Sequence, residues 1–261
     1  MLGDPLAFTL SPELHRAGLA AIGIAGESEA LRTSLEELPD RLNQLAARGL
    51  RGVNLTHPLK EAVLPLLAKV SEPARHARSV NTVTFDDAGW TGSTTDGRGF
   101  VDLLEERGRE LDREHVVLLG GGGASRSLAH ALADEGATVT VSVRDLRVAE
   151  EAFVPIGAWA VEWRSAEEAA ALADATVVVN ATPLGGPDGP LAVDRLPAGA
   201  LIVDLVYGET VTPWIAAARA RGLTAMDGLG LLVHQARRSL AVWTGRDVPV
   251  DALARAVGWP R

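Results

Sequence analysis

Cysteine is absent from this sequence of 261 residues, and aromatic residues make up only 4%. Without cysteine the protein can form no disulfide, no thiolate nucleophile and no zinc site with sulfur ligands. The six histidines are scattered and none forms an H-E-x-x-H pair, so we expect no metal site. Positive charge is also in deficit: the net charge is −9, and no basic patch is available to neutralise nucleic-acid phosphates. We therefore expect no nucleic-acid partner.

Long apolar runs are missing too. No stretch approaches the ~20 apolar residues of a transmembrane helix, and the N-terminus lacks the basic and apolar regions of a secretion signal. We therefore expect no membrane partner and a cytoplasmic location. The remaining composition, 47% hydrophobic and 23% charged, is that of a globular protein long enough for one large domain or two small ones.

The most informative stretch lies near the middle of the chain. A short apolar run over 116–119 predicts a buried strand. Four glycines follow it (120–123), and after them come helical spacing over 124–135 and a second apolar run over 139–143. Strand, glycine turn, helix and strand form the first unit of a dinucleotide-binding fold, in which glycines let the backbone approach a pyrophosphate at the helix N-terminus. Because Ser125 occupies the third glycine position of the usual fingerprint, a glycine-rich turn in another α/β protein stays open as the alternative.

The elements around this unit alternate. The apolar patterns predict strands over 53–56, 82–85, 90–93, 159–163, 176–180 and 201–206. They predict helices from Ser11, over 34–48, from Pro58, and over 167–173, 229–243 and 250–257. The second helix is expected to turn four leucines inward: Leu35, Leu38, Leu42 and Leu45. Alternating strands and helices imply a parallel, doubly wound α/β sheet.

Two segments indicate connections between elements. Asp86-Asp87-Ala88-Gly89 is typical of a hairpin turn, because it separates two short apolar runs with turn-forming residues. The glycine-rich segment 96–100 is a candidate linker between two domains, although a helix follows it directly.

Polar residues also crowd into segments that otherwise have the pattern of a core. Thr9 and Ser11 accompany a helix start, where hydroxyls and free amides suit a carboxylate, although a plain N-cap explains Ser11 as well. Lys60 lies in the first turn of its helix, where a cation opposes the helix dipole and needs a partner or a purpose. Asp96 supplies a carboxylate that could pair with it, and Asn81 opens a strand. Taken singly, each is more often a turn or a cap, so the prediction of a site depends on their combination.

In their combination and order, these segments resemble the shikimate dehydrogenase family. The resemblance covers nearly the whole chain. The segments that carry it are Gly3-Asp4-Pro5, Thr9-Leu10-Ser11-Pro12, Asn54-Leu55-Thr56-His57-Pro58-Leu59-Lys60, Ser79-Val80-Asn81-Thr82, Thr94-Thr95-Asp96-Gly97-Arg98-Gly99-Phe100, Gly120-Gly121-Gly122-Gly123-Ala124, Asn180-Ala181-Thr182-Pro183, Leu205-Val206-Tyr207 and Asp227-Gly228-Leu229-Gly230-Leu231-Leu232-Val233-His234-Gln235.

The resemblance implies an α/β protein of two domains with a cleft between them. An N-terminal α/β substrate-binding domain would comprise 1–96 plus 228–261, and a Rossmann-like doubly wound domain over 97–227 would bind NADP. The implied reaction is the reversible NADPH-dependent reduction of 3-dehydroshikimate to shikimate, a step of aromatic amino acid biosynthesis. Two alternatives stay open: a quinate/shikimate dehydrogenase of broader substrate and cofactor range, and a non-catalytic nucleotide-binding regulator with the same fold. Monomer and homodimer are both left open.

The resemblance also implies residue roles. Lys60 would be the acid–base residue, paired with Asp96. The implied substrate ligands are Thr9, Ser11 and Tyr207 for the carboxylate, and Asn54, Thr56, Asn81, Asp96 and Gln235 for the hydroxyls. The implied cofactor ligands are Gly120, Gly121, Gly122, Gly123 and Ala124 for the pyrophosphate, Arg144 and Arg147 for the ribose phosphate, and Asn180, Leu205 and Gly228 near the nicotinamide.

Several positions depart from the family pattern. Phe8 and Thr9 replace a His-Ser pair at the carboxylate end, which affects substrate selectivity. Asp145 stands where threonine is usual, and a carboxylate at the end of the second strand commonly binds a ribose hydroxyl and repels a phosphate. We therefore expect NADP to be preferred less strongly than in relatives with threonine, with NAD as the alternative cofactor. The other departures are Arg78 and Ser79 in place of Gly-Ala and Thr94 in place of asparagine.

The family pattern also places a buried strand just before Gly3. Most of that strand is missing from this sequence, and without it neighbouring strands would be left with unpaired amides and carbonyls. We expect Leu2 to be the last part of that strand and the natural start to lie upstream. The rival expectation is that another segment or a partner chain fills the same place.

Overall fold

The computed structural model describes residues 1–6, 8–86, 89–186 and 189–261. The strands are β1 (Leu2–Gly3), β2 (Leu31–Arg32), β3 (Gly52–Asn54), β4 (Lys69–Val70), β5 (Thr82–Asp86), β6 (Gly89–Ser93), β7 (His115–Leu119), β8 (Thr138–Val143), β9 (Trp159–Glu162), β10 (Val177–Asn180), β11 (Leu201–Asp204) and β12 (Ala225–Met226). The helices are α1 (Ser11–Ala21), α2 (Leu38–Ala47), α3 (Leu59–Ala62), α4 (Glu72–His76), α5 (Asp96–Glu106), α6 (Gly123–Asp134), α7 (Leu146–Phe153), α8 (Ala166–Ala173), α9 (Pro213–Ala220), α10 (Leu229–Thr244) and α11 (Val250–Val257). Within these ranges no helix is both long and apolar enough to cross a lipid bilayer.

Six strands form a parallel sheet in the order β12-β11-β10-β7-β8-β9. The chain alternates strands and helices, as predicted, because parallel neighbouring strands need crossover connections. The helices α6 to α9 supply four of these connections. Side chains of the central strand β7 alternate between two cores: Val116 and Leu118 pack on one face, and Val117 and Leu119 pack on the other, with Trp214. The carboxyl ends of β7, β8 and β10 therefore meet at one edge, where this class of fold binds its ligands.

A second sheet of four strands has the order β3-β5-β6-β4. β5 runs antiparallel to β3 and to β6, so β5 and β6 form the predicted hairpin. The predicted turn residues Asp87 and Ala88 lie outside the described residues. The sheet has its own core, which takes these side chains from α2 and β3: Leu38, Leu42, Leu45 and Val53.

β1 lies beside this second sheet. Leu2 is buried, pairs in parallel with Leu31 of β2, and forms a bridge with Leu55, just after β3. The amide of Thr56 donates to the carbonyl of Leu2 at 2.9 Å. Leu2 therefore occupies a buried strand position, as the family pattern predicts.

One predicted helix start and one predicted N-cap are wrong. The second helix begins at Leu38 because Ser34 and Glu37 exchange hydrogen bonds (Ser34 N to Glu37 Oε2, 2.9 Å; Glu37 N to Ser34 Oγ, 3.3 Å) and hold a turn in front of it. Leu35 lies in that turn and is 51% exposed instead of facing the core. Ser11 is already the first residue of α1 and makes no side-chain cap.

The segment 96–100, a candidate linker by sequence, is the first part of α5. Its two glycines allow α5 to touch its neighbours through the backbone: a Cβ on Gly97 would lie 2.2 Å from the carbonyl oxygen of Ser127 in α6, and a Cβ on Gly99 would lie 2.8 Å from the amide of Gln235 in α10. α5 therefore packs between α6 and α10. Of these, α6 follows the central strand of the six-stranded sheet.

Candidate active site

Lys60 and Asp96 form an ion pair, as the sequence predicts. Lys60 Nζ lies 2.6 Å from Asp96 Oδ2, and the two side chains are 20% and 9% exposed. Lys60 follows β3 and Asp96 follows β6, so two strand ends bring them together. Asn81 Nδ2 donates to Asp96 Oδ1 at 2.7 Å and fixes the orientation of the carboxylate. A lysine ammonium held in this way can donate a proton and, once neutral, accept one.

A buried polar network supports this pair. Asn81 Oδ1 accepts from the Thr95 amide and from Thr82 Oγ1, both at 2.9 Å. Asn54 Nδ2 lies 2.9 Å from each of three acceptors, the Asn81 carbonyl, Thr82 Oγ1 and Ser239 Oγ. Asn54 is only 2% exposed, so the structure places it in the layer that holds Asn81. Its direct contact with substrate stays a prediction.

Thr9, Ser11 and Tyr207 lie together, as the resemblance implies. The hydroxyls of Thr9 and Ser11 are 3.2 Å apart. Burial raises the pKa of the Tyr207 phenol, while hydrogen bonds with the Thr9 side chain and the Leu10 main chain act in the opposite direction. Tyr207 is therefore a neutral phenol that can donate a hydrogen bond to a carboxylate. The Phe8 ring lies 6.0 Å from the Tyr207 ring and lines the same end of the site.

Thr56 and Gln235 are the remaining predicted substrate ligands. Thr56 is half-buried in the turn before α3, and its methyl group packs on Gly3, where a Cβ would lie 2.3 Å from Thr56 Cγ2. Gln235 is 7% exposed on α10, and its Nε2 donates to the Leu232 carbonyl at 3.0 Å. Contact of either side chain with substrate stays a prediction.

The glycine loop lines a cavity of about 570 Å³ at the carboxyl edge of the six-stranded sheet. Gly120 has φ +108°, a conformation that side chains rarely adopt, and a Cβ there would lie 2.8 Å from Thr182 Cγ2. A Cβ on Gly122 would meet no described atom within 4 Å, so its Cα faces open space. Gly123 and Ala124 open α6, whose first amides are free to bind an anion. The cradle fits a pyrophosphate.

The cavity is completed by the loops after β8 and β10 and reaches His57, three residues before Lys60. Arg144 lines it and is exposed, and Arg147 is exposed on the first turn of α7. Asp145 is the N-cap of α7, because its Oδ1 accepts from the Val148 amide at 3.4 Å. The carboxylate therefore has a structural role beside the predicted one toward ribose, which stays a prediction.

Asn180 is fully buried at the end of β10 and acts on the loop around the cavity. Its Nδ2 donates to Leu184 O (2.9 Å) and Asp204 Oδ1 (2.8 Å), and its Oδ1 accepts from the Thr182 amide (2.9 Å). These bonds occupy both ends of its amide, so Asn180 shapes the loop and does not offer its amide to a ligand.

Leu205 and Gly228, the other two residues predicted near the nicotinamide, are in direct contact. A Cβ on Gly228 would lie 2.2 Å from the Leu205 carbonyl oxygen, so this approach requires glycine. The contact joins the end of β11 to the start of α10.

Sequence reasoning misses several residues that build the site. Asp204 is fully buried at the end of β11, and burial raises the pKa of its carboxyl group. It accepts from Asn180 and from Thr212 Oγ1 (2.7 Å), and the signal that could identify it is its position at the carboxyl end of a parallel strand. Ser239 could be found from its spacing of four residues from Gln235 on one face of α10. Thr82 and Thr95 carry no such signal.

A doubly wound sheet with a glycine-lined cavity at its carboxyl edge, and a lysine–carboxylate pair close to that cavity, defines the class of dinucleotide-dependent dehydrogenases. Comparisons with known proteins agree. Residues 1–83 match the family described as shikimate dehydrogenase substrate binding domain, and residues 228–257 match the shikimate 5'-dehydrogenase C-terminal domain. The shikimate dehydrogenase (NADP(+)) of Acidiphilium cryptum (strain JF-5) is 40% identical over 98% of this chain and 94% of its own length. The chain belongs to the shikimate dehydrogenase family.

Two solved structures extend the comparison. Shikimate 5-dehydrogenase from Thermus thermophilus, in complex with NADP(H) and shikimate, superposes with a TM-score of 0.88 at 36% identity, over 98% of this chain and 97% of that one. A 5-ketofructose reductase of Gluconobacter sp. strain CHM43 superposes with a TM-score of 0.84 at 28% identity, over 98% and 96% of the two chains. The fold is therefore shared by relatives that act on different substrates.

Proposed function

We propose that this protein is a shikimate dehydrogenase, which catalyses the reversible NADPH-dependent reduction of 3-dehydroshikimate to shikimate. The observation that carries the proposal is the 2.6 Å contact between Lys60 and Asp96 near the glycine-lined cavity, in a chain whose relatives bear that name. A nucleotide-binding regulator without activity would need the cavity but not this pair.

Reduction of a ketone adds a hydride to carbon and a proton to oxygen. When bound, NADPH supplies the hydride. The Lys60 ammonium donates the proton to the developing alkoxide, and in the oxidation direction the neutral Lys60 amine accepts it. Asp96 holds the amine in place and accepts a hydrogen bond from a substrate hydroxyl, while Asn81 keeps the carboxylate oriented. This positioning supplies much of the rate because the groups are arranged before the reaction.

The other predicted residues would bind the two molecules. The hydroxyls of Thr9, Ser11 and Tyr207 would take the substrate carboxylate, and Thr56 and Gln235 would take hydroxyls together with Asn81. The loop 120–124 would hold the pyrophosphate, and Arg144 and Arg147 would bind the ribose phosphate. Asn180, Leu205 and Gly228 would shape the nicotinamide end. The proposed domains are 1–96 plus 228–261 for substrate and 97–227 for NADP.

A second candidate is a quinate/shikimate dehydrogenase of broader range. Phe8 favours it, because an aromatic ring against Tyr207 changes the wall at the carboxylate end of the site. Thr9 favours it too, because it adds a methyl group beside the hydroxyl.

The deciding experiment is a substrate panel with the purified protein. Shikimate, quinate and a polyol lacking a carboxylate are each supplied with NADP⁺ and with NAD⁺, and formation of the reduced cofactor is followed. We expect shikimate with NADP⁺ to give the highest kcat/KM. Comparable turnover of quinate would support the broader enzyme, and no turnover of shikimate would reject both candidates.

A further inference from the structure

The N-terminal half of α6 contacts the chain next to both members of the Lys60–Asp96 pair. Arg126 Nη2 donates to Glu61 Oε2 at 3.0 Å, and Glu61 follows Lys60 on α3. The hydroxyl of the next residue, Ser127, accepts from the Gly97 amide at 3.0 Å, and Gly97 follows Asp96 on α5. Two consecutive residues of α6 therefore reach the neighbours of the two groups proposed to act in catalysis.

The Arg126 contact is more than a surface ion pair. Its side chain is 14% exposed, and the guanidinium also donates to Ala77 O (2.7 Å), Arg78 O (3.3 Å) and Gly121 O (3.3 Å). A planar group with this many acceptors is held in one orientation, unlike most exposed pairs. Since Gly121 belongs to the glycine loop, Arg126 joins that loop directly to α3.

The Ser127 contact is equally close. Its hydroxyl lies 2.8 Å from Thr94 Oγ1, at one of the positions that depart from the family pattern. A Cβ on Gly97 would lie 2.2 Å from the Ser127 carbonyl oxygen, so the two backbones touch with no side chain between them. α6 cannot shift toward α5 without moving the start of α5, where Asp96 lies.

We propose that Arg126 and Ser127 are positioning residues that couple the glycine loop to the Lys60–Asp96 pair. A dinucleotide phosphate seated on the first turn of α6 fixes the position of Arg126 and Ser127, and through Glu61 and Gly97 it sets where the pair stands relative to the substrate carbonyl. This inference rests on the proposed function of the pair and of the loop.

The first test is hydrogen–deuterium exchange with and without NADP⁺, which needs no turnover. In the wild type we expect NADP⁺ to slow amide exchange at 120–126, at 59–63 and at 96–100. In both Arg126→Met and the milder Ser127→Ala, we expect NADP⁺ still to slow exchange at 120–126. Arg126→Met should lose the slowing at 59–63, and Ser127→Ala should lose the slowing at 96–100. Slowing that reaches both distant segments equally in the variants would overturn the coupling.

The second test is kinetic. We expect Arg126→Met and Glu61→Gln each to lower kcat for shikimate oxidation about 10-fold, with KM values changed less than about 3-fold. The double variant should have a kcat no lower than that of Arg126→Met alone.

Arg78→Met is the matched control, because Arg78 also pairs with Glu61 (3.0 Å) but does not belong to α6. Its kcat should stay within about 2-fold of the wild type. Equal losses in Arg78→Met and Arg126→Met would reject a specific role for α6. A wild type that shows the exchange pattern but does not oxidise shikimate would reject the proposed function and leave the coupling standing.

Discussion

Lys60 is the single residue whose removal should affect turnover most. Lys60→Met keeps most of the side-chain volume but cannot transfer a proton, so we expect kcat to fall by at least ~10²-fold while substrate still binds. Steady-state kinetics and equilibrium binding of shikimate measure both effects.

The control for this variant is Lys69→Met, which removes the charge of an exposed lysine on β4. It should leave kcat unchanged. If Lys60→Met turned over at a near-normal rate, another group would have to be the proton donor.

The buried imidazole of His15 should make the stability of the fold depend on pH. Burial lowers the pKa of its imidazole from 6.5 to about 3, and nearby positive charge adds to this effect. Between pH 6.5 and pH 3 the His15 imidazole is protonated in the unfolded chain but neutral in the folded protein. The free energy of unfolding therefore falls as pH drops from 6.5 toward 3. The loss from this residue should reach about 2 kcal/mol by pH 5.

Urea unfolding of the wild type and of His15→Gln at pH 7 and pH 5 measures the His15 contribution. The variant should lose about 2 kcal/mol less than the wild type over this interval. His115→Gln, at an exposed position on β7, is the matched control and should follow the wild type. The same acid loss in all three proteins would show that His15 titrates normally in the fold.

The Asp145 carboxylate should weaken the preference of the protein for NADP over NAD. Asp145→Thr removes a carboxylate that repels the extra phosphate of NADP, while threonine can still cap α7 as Asp145 does. We expect the ratio of kcat/KM for NADP⁺ over NAD⁺ to rise several-fold with stability changed by less than about 0.5 kcal/mol. Asp145→Asn separates charge from shape, and an unchanged ratio in both variants would mean that the carboxylate does not face the phosphate.

At the scale of elements, the strand–loop–helix unit β7–α6 offers a matched pair of glycine substitutions. Gly120→Ala places a side chain at φ +108° and 2.8 Å from Thr182, so it should cost about 1–3 kcal/mol of stability or more. Gly122→Ala adds a methyl group that meets no described atom, so it should leave the melting temperature unchanged and raise the Kd for NADP⁺ at least ~10-fold by blocking the pyrophosphate. Unchanged NADP⁺ affinity in Gly122→Ala would place the pyrophosphate elsewhere.

Elements with a strong local pattern are the ones that the sequence predicts well. β7, α6 and β8 follow from their apolar periods, and α11 begins and ends where its pattern does. The beginnings of α2 and α5 could not be predicted in the same way. At α2 the mutual bonds of Ser34 and Glu37 form a turn out of residues that also suit a helix. At α5 the glycines of a candidate linker serve contacts with α6 and α10, which involve residues distant in sequence.

The same limit applies to the site. Lys60, Asp96, Ser11 and Tyr207 could be predicted as site residues because they match the family pattern and because the charge of Lys60 at a helix start needs a partner. In the supporting layer of Thr82, Thr95 and Ser239, only Ser239 has a sequence signal, its spacing of four residues from Gln235. The members of this layer are ordinary hydroxyl residues whose role appears only when β5, α5 and α10 meet.

At the scale of the whole molecule, α10 links two separate cores: it belongs to the core that includes the six-stranded sheet, and Trp243 Nε1 donates to the Val83 carbonyl of the four-stranded sheet at 3.1 Å. Phe100, Leu103 and Leu104 are fully buried in one cluster that runs from Leu14 of α1 to Val116 of β7. We therefore expect one unfolding transition, with circular dichroism and tryptophan fluorescence changing together in urea. Leu104→Ala should lower the free energy of unfolding by about 2–5 kcal/mol without splitting the transition.

A substitution confined to the second core provides the comparison. Leu42→Ala removes a fully buried side chain beneath the four-stranded sheet and should destabilise by a similar amount. Two resolved transitions in the wild type or in either variant would show that the sheets unfold independently.

The backbone contacts of α5 separate the parts of this enzyme that can be redesigned from those that cannot. At Gly97 and Gly99 even one added carbon atom would collide with the backbone of a neighbouring helix, so substitutions there should destabilise the fold. Phe8 is 41% exposed, and Arg144 is exposed on the cavity wall, so both can vary without disturbing a core. New substrate and cofactor ranges should therefore be sought by substitutions at positions 8, 9, 144 and 147, while α5 holds the reacting groups in place.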